Sequence, residues 1–173
     1  MNRFALATIP LLACVLSFGQ SSSITPDATA ALAAMKALAG TWQGSLTTDS
    51  PAWATDKPLP LTIRVACHGN ALVHELDTGG PEITVFYVEG DHLALVHYCH
   101  FGNRPHMISH PSQDGKVIKF DLTEAPGSYQ IGHVSRAVFT LIDPNHHTED
   151  WMFLPKGQKP VHAHIDFKRT PTQ

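Results

Sequence analysis

The chain has 173 residues, 43% of them hydrophobic, with 12 Lys+Arg against 15 Asp+Glu and 12 histidines. That length admits a single domain with a sizeable core. The mildly acidic balance, with no cluster of basic residues, argues against nucleic acid or an anionic membrane surface as a partner.

Met1, Asn2 and Arg3 make a short basic start, Phe4 to Phe18 form a nearly unbroken apolar run, and Gly19, Gln20 and three serines follow. This is the pattern of a secretory signal peptide: it is too short to span a bilayer, and Ser17 and Gly19 sit at peptidase spacing, predicting cleavage near Gly19/Gln20. The expected product is exported, periplasmic or secreted, without stable membrane association. The stretch LLAC at residues 11–14 offers an alternative in which Cys14 carries a lipid anchor. Loss of Arg3 with the leader leaves 11 basic against 15 acidic residues, a net charge near −4 with neutral histidines. All 12 histidines lie after position 67, so acidification to about pH 6 would reverse that sign if they titrate near their ordinary value.

TPDATAALAAMKALAG predicts a helix, with Thr25 as N-cap, Pro26 in the first turn, Asp27 complementing the dipole and Gly40 ending it. Its stripe of Leu32, Met35 and Leu38 is suited to a lid or plug. TTDSPAWATDKPLP has no periodicity and reads as loop or irregular edge. Strand signals then dominate. LTIRVAC and ALVHEL are divided by HGN, EITVFYV and HLALVHYC by EGD, and both dividers are turn chemistry between β-favouring runs. KVIKFDLT, VSRAVFTLI, TEDWMFL and HAHIDFK follow, with DPNHH as a turn between the second and third. Eight to ten short strands with one helix predict a mainly β fold, an antiparallel meander closed into a barrel that leaves no sheet edge. The expected organisation is a leader at 1–19, an N-terminal segment and helix at 20–39, and the barrel at 40–170.

LAGTWQG after a short helix resembles the start of lipocalin-like (calycin) barrels, in which a Gly-x-Trp on the first strand closes one end. With YVEGDHLALVHYCHFGNRPHM and FTLIDPNHHTEDW added, the chain resembles a group of uncharacterised exported bacterial proteins of that fold, over roughly Leu38 to Trp151. The resemblance implies a small-ligand cavity inside the barrel and no established activity. Nitrobindins, haem-binding barrels of this general type, also begin Gly-x-Trp-x-Gly but continue with a Gly-rich stretch where this chain has SLTTDSPAW.

In a meander, Cys67 ends its strand and Cys99 ends the strand three later, which puts the two sulfurs at opposite ends. A bridge needs Cα atoms within about 7 Å, so two free cysteines are expected.

The stretch VHYCHFGNRPHM is the densest in chemistry. Alternation puts Leu93, Leu95, His97 and Cys99 on one face and His92, Ala94, Val96, Tyr98 and His100 on the other, without saying which looks inward. With the first set inward, His97 and Cys99 are adjacent soft donors able to grip Zn or Cu, with His74 and His133 as candidates for the missing ligand. The alternative is that His97 hydrogen-bonds in a mixed polar lining and Cys99 packs as a small hydrophobe. An inward His97 would have its pKa depressed by burial unless Glu75 or Glu149 partners it. His162 and His164 alternate with apolar residues and are expected to face solvent, while His146 and His147 are placed in the turn. Arg104 at a barrel mouth could meet a ligand carboxylate or phosphate. Trp42 and Trp151 read as barrel-closing core that can also stack on a ligand.

The sequence thus points to an exported barrel binding a small apolar or amphipathic molecule, with His74, His97, Cys99, Asn103, Arg104, Trp42, Trp151 and His133 as candidate ligand-binding residues and no resident cofactor. The alternative is a metal or haem protein holding Zn, Cu or haem, with His97, Cys99, His74 and His133 as metal ligands. A hydrolase or isomerase stands third: the chain has no Gly-x-Ser-x-Gly, no His-Glu-x-x-His and no phosphate loop, and a Cys99–His97 dyad lacks an orienting acid.

Overall fold

Alternation of large apolar with polar side chains, readable in most of the β-favouring runs, is satisfied when every strand turns one face to a common interior. The computed structural model describes residues 27–171 apart from 113 and 129, and in it ten antiparallel strands close into a barrel. They are β1 (Gly40–Thr48), β2 (Leu59–Ala66), β3 (Ala71–Asp77), β4 (Pro81–Glu89), β5 (His92–Tyr98), β6 (His106–Pro111), β7 (Val117–Glu124), β8 (Gly132–Asp143), β9 (His146–Pro155) and β10 (Val161–Arg169). Each pairs with its sequence neighbours, and β1 pairs with β10 to complete the ring. This is the expected meander. The two strands beyond the eight runs picked out by propensity are β1, seen only through the resemblance, and β6, whose HMISHP is too short and polar to register. The expected leader at 1–19, Cys14, and Thr25 and Pro26 lie outside the described residues.

The helix α1 (Ala28–Lys36) is shorter than expected. Asp27, not Thr25, is its N-cap and accepts from the Thr29 amide at 3.1 Å. It stops at Lys36 rather than at Gly40, which instead opens β1. Arg169 explains the early stop: its guanidinium donates to the Ala37 and Ala39 carbonyls at 3.0 and 2.7 Å, satisfying groups that a further turn would have used. Leu32, Met35 and Leu38 pack with the interior residues Trp42, Leu72, Phe86 and Leu93, so the helix plugs one end of the barrel. Trp42 seals that end, donating its indole N–H to Leu38 O at 2.9 Å beneath the Arg169 guanidinium, 4.1 Å from its ring centroid.

Two glycines are required by the backbone. Gly90 turns β4 into β5 at φ 60°, inside the EGD divider. Gly44 leaves room for side chains of the neighbouring β10, because a Cβ there would lie 2.5 Å from the Phe167 ring and 2.6 Å from Ile165. The other divider, HGN, becomes a short 3-10 turn at Cys67–Gly69 in which Cys67 and His68 take left-handed φ values of 51° and 52°.

Cys67 and Cys99 are both free, the first exposed beside the plugged end and the second buried at the opposite, open end. Burial, together with the Glu82 carboxylate, pushes the Cys99 thiol up to about 11 despite a backbone hydrogen bond that lowers it. Thiol titration of the native protein should therefore label Cys67 rapidly and Cys99 slowly. The unfolded, unreduced chain without its leader should give both; none before reduction would contradict the strand order.

Candidate functional site

Register brings the polar residues of the interior together. On β4, Thr84 stands opposite both His74 of β3 and His97 of β5, making a polar row across three strands. On β9 the inward face carries His147, Glu149, Trp151 and Phe153 in succession, and Glu149 is fully buried. Its Oε1 accepts from His74 Nε2 at 3.0 Å and His147 Nε2 at 3.1 Å; Oε2 accepts from Trp151 Nε1 at 2.9 Å. Burial alone would raise the Glu149 pKa, but the facing His74 and His147 outweigh it and hold the carboxyl ionised, well below the usual carboxylate range.

His97 has the opposite balance. It is 5% exposed, its Nδ1 pairs with Thr84 Oγ1 at 2.9 Å, and its Nε2 stands 3.8 Å from Glu82 Oε2, beyond hydrogen-bond length. Desolvation lowers its pKa to about 4 against the upward pull of Glu82, so the ring is neutral at pH 7 and presents its Nε2 edge inward. The nearby acid is Glu82, not Glu75, which points outward, nor Glu149, which is committed to His74.

His74, Glu82, Thr84, His97 and Trp151 line a cavity of about 640 Å³ that opens at the end away from α1, with Glu149 behind His74. Leu46, Leu59, Leu76, Val134, Phe153 and Ile165 supply apolar wall, with His74, Thr84, His97 and Trp151 on the polar side. Trp53, from the loop expected to be irregular, reaches over Phe153 at 5.3 Å between centroids, and Phe101 meets Phe153 at 5.2 Å, so aromatic rings rim the mouth.

Of the sequence candidates, His74, His97, Cys99 and Trp151 line the cavity. Four others lie elsewhere. Asn103 is buried but donates its amide to the Ser128 and Gly132 carbonyls at 2.9 and 2.6 Å, clipping the β5–β6 connection to the segment before β8. Arg104 is exposed away from the lining, Trp42 belongs to the plugged end, and His133 sits beside inward-facing Val134, which puts it on the outer face. The grouping His97, Cys99, His74 and His133 is not assembled: among the described residues, the metal-type donors that converge are Glu82, Cys99 and His100.

Three further placements differ from expectation. His146 and His147 both lie within β9, because the turn needs only Pro144 and Asn145, and His147 stacks on Phe167 at 4.9 Å. His100 does not share the outer face, because β5 ends at Tyr98 and the chain turns, with Gly102 N–H donating to Cys99 O at 3.0 Å; His100 Nδ1 meets Glu82 at the cavity mouth. His162 and His164 do face solvent.

The fold and site define a class: a ten-stranded antiparallel barrel, closed at one end, with a partly polar cavity open at the other. The chain is similar to the crystal structure of Rv2717c from M. tuberculosis, with a TM-score of 0.60 and 17% identity over 82% of this chain and 98% of that one. It is also similar to a protein of unknown function from the DUF3598 family of Nostoc punctiforme, with a TM-score of 0.55 and 12% identity over 79% of this chain and 48% of that one. Identities this low establish the shared fold. No family model and no curated protein matches the chain.

Removing the Glu149 side chain leaves three buried N–H donors facing one another. Glu149→Ala should cost roughly 3–5 kcal/mol of stability in urea unfolding. Acid should destabilise the protein before any ordinary carboxylate titrates. Between pH 6.5 and about 4 the unfolded chain binds a proton at His97 that the folded chain excludes, so this stability is complete above pH 6.5 and is lost as pH falls toward 4. Urea midpoints across that window should fall in the wild type and fall less in His97→Phe.

Proposed function

We propose that the protein is an exported binding protein that holds a small, uncharged or amphipathic molecule in the barrel, its apolar part against the Leu, Val and Phe wall and one polar atom at His97. Supporting this reading is the neutral His97 edge facing the apolar wall of a cavity of about 640 Å³, a volume within the usual range for small-molecule sites. Glu149 takes three donors and Thr84 is used by His97, while His74, also on the lining, has its Nε2 on Glu149 and its buried Nδ1 unpartnered. His97 Nε2 remains to fix the orientation of a carbonyl or hydroxyl, acting as donor or acceptor according to its tautomer. The ionised Glu149 behind His74 makes the deep end unfavourable for a second carboxylate, so an acidic headgroup would sit outward, where Lys57 lies on the rim. The expected export is part of the same reading and would show as a mature N-terminus near Gln20.

Trp53 and Trp151 line the cavity and report on its contents. Titration with fatty acids and their methyl esters should change the tryptophan fluorescence saturably, with the esters at least as effective as the acids. His97→Phe should weaken binding of polar members of the panel about tenfold, the worth of one hydrogen bond to a buried group, and leave pure hydrocarbons unaffected. No saturable response to any member, together with no organic molecule extracted from freshly purified protein, would overturn the reading.

A further inference from the structure

We propose that Glu82, Cys99 and His100, at the mouth of the cavity, form a binding site for one divalent cation of the zinc type, with the fourth coordination position left to a water molecule. Donor atoms of the three residues all lie within 4.8 Å of one another. Glu82 Oε1 contacts His100 Nδ1 and lies 4.0 Å from Cys99 Sγ, while Glu82 Oε2 lies 3.8 Å from His97 Nε2. Tetrahedral zinc, with bonds of about 2.0–2.3 Å, holds its ligand atoms about 3.3–3.8 Å apart, so the widest separation has to close by about 1 Å.

The backbone already holds the donors in place. Glu82 sits early in β4 and Cys99 just past the end of β5, beside the Ile83–Tyr98 register pair. The turn is fixed by Cys99 N–H donating to Asn103 O at 3.1 Å, and His100 N–H donates to Glu82 Oε1 at 3.3 Å.

The donor chemistry selects the ion. Sulfur and imidazole nitrogen are poor ligands for calcium or magnesium and good ones for zinc and its neighbours. One carboxylate and one thiolate carry two negative charges, matching the cation, and the His100 imidazole binds as a neutral ligand. On binding, the Cys99 S–H bond breaks, its proton passes to solvent, and the sulfur electron pair forms the metal–sulfur bond. No oxidation state changes. A cation here would brace the β5–β6 turn against β4 at the rim, whatever the cavity contains.

Cobalt(II) reports such a site through its thiolate charge-transfer band. Chelator-stripped, untagged mature protein, free of added organic ligand, should bind one cobalt(II) per chain with that band, and zinc(II) should displace it. Cys99→Ala should abolish the band, His100→Ala should weaken cobalt binding by about tenfold or more, and Cys67→Ala should leave both unchanged. His100 is exposed, so its replacement tests the site in a folded barrel, verified by circular dichroism. Absence of the band in the wild type, its survival in Cys99→Ala, or its loss in Cys67→Ala would each overturn the proposal. None of these readings depends on whether fatty-acid probes bind, so the metal site and the cavity reading stand or fall separately.

Discussion

Burying a carboxylate costs several kcal/mol unless its charge is met by well-placed donors, and the interior of this barrel is arranged around meeting that cost at Glu149. The three donors come from β3 and β9, which are not neighbours in the sheet, so the cluster is a strut across the interior. It also sets the rest of the site. Trp151 is held by its indole N–H, and its ring then stands 5.4 Å from the His97 ring, giving the cavity its polar wall. His147, pulled inward by the same carboxylate, meets Trp42 edge-on at 4.4 Å and so connects the strut to the plugged end.

The two ends of the barrel are built from different chemistry. At the plugged end α1 lays its apolar stripe over Trp42, Leu72, Phe86 and Leu93, and Arg169 caps the helix carbonyls while covering the Trp42 ring. At the open end the residues are acids, imidazoles, a thiol and aromatic rings, carried on turns and on the loop before β2. Packing at one end provides the stability against which the other keeps an open, partly polar space.

Eight of the ten strands and their order were legible in the sequence because alternation and turn residues are local signals, and a meander pairs each strand with the next. The cavity-facing side of VHYC was legible as a set of residues, Leu93 to Cys99, but not as a direction, since alternation is symmetric until something fixes the inside. His147 was misplaced for a related reason. DPNHH contains enough turn formers for five residues, whereas the hairpin closes with two, and only the inward position of Phe153 sets the count. Read backward from Phe153, alternation selects Trp151, Glu149 and His147, the signal that would have found the cluster. His100 follows the opposite rule: it lies past the strand's end, where alternation stops. The approach of Glu82 to His97 is a contact between strands, set by register that neither run encodes alone.

Among the described residues, a barrel plugged by α1 has a single door. Whatever enters past Trp53 and Phe101 has to leave by the same way, so the molecule is a pouch and not a conduit: it can store, shield or hand over a cargo, but cannot pass one through from end to end. The time a cargo stays is then governed by the rim, where a few rings and one short loop must move, and not by the strands that make up the wall.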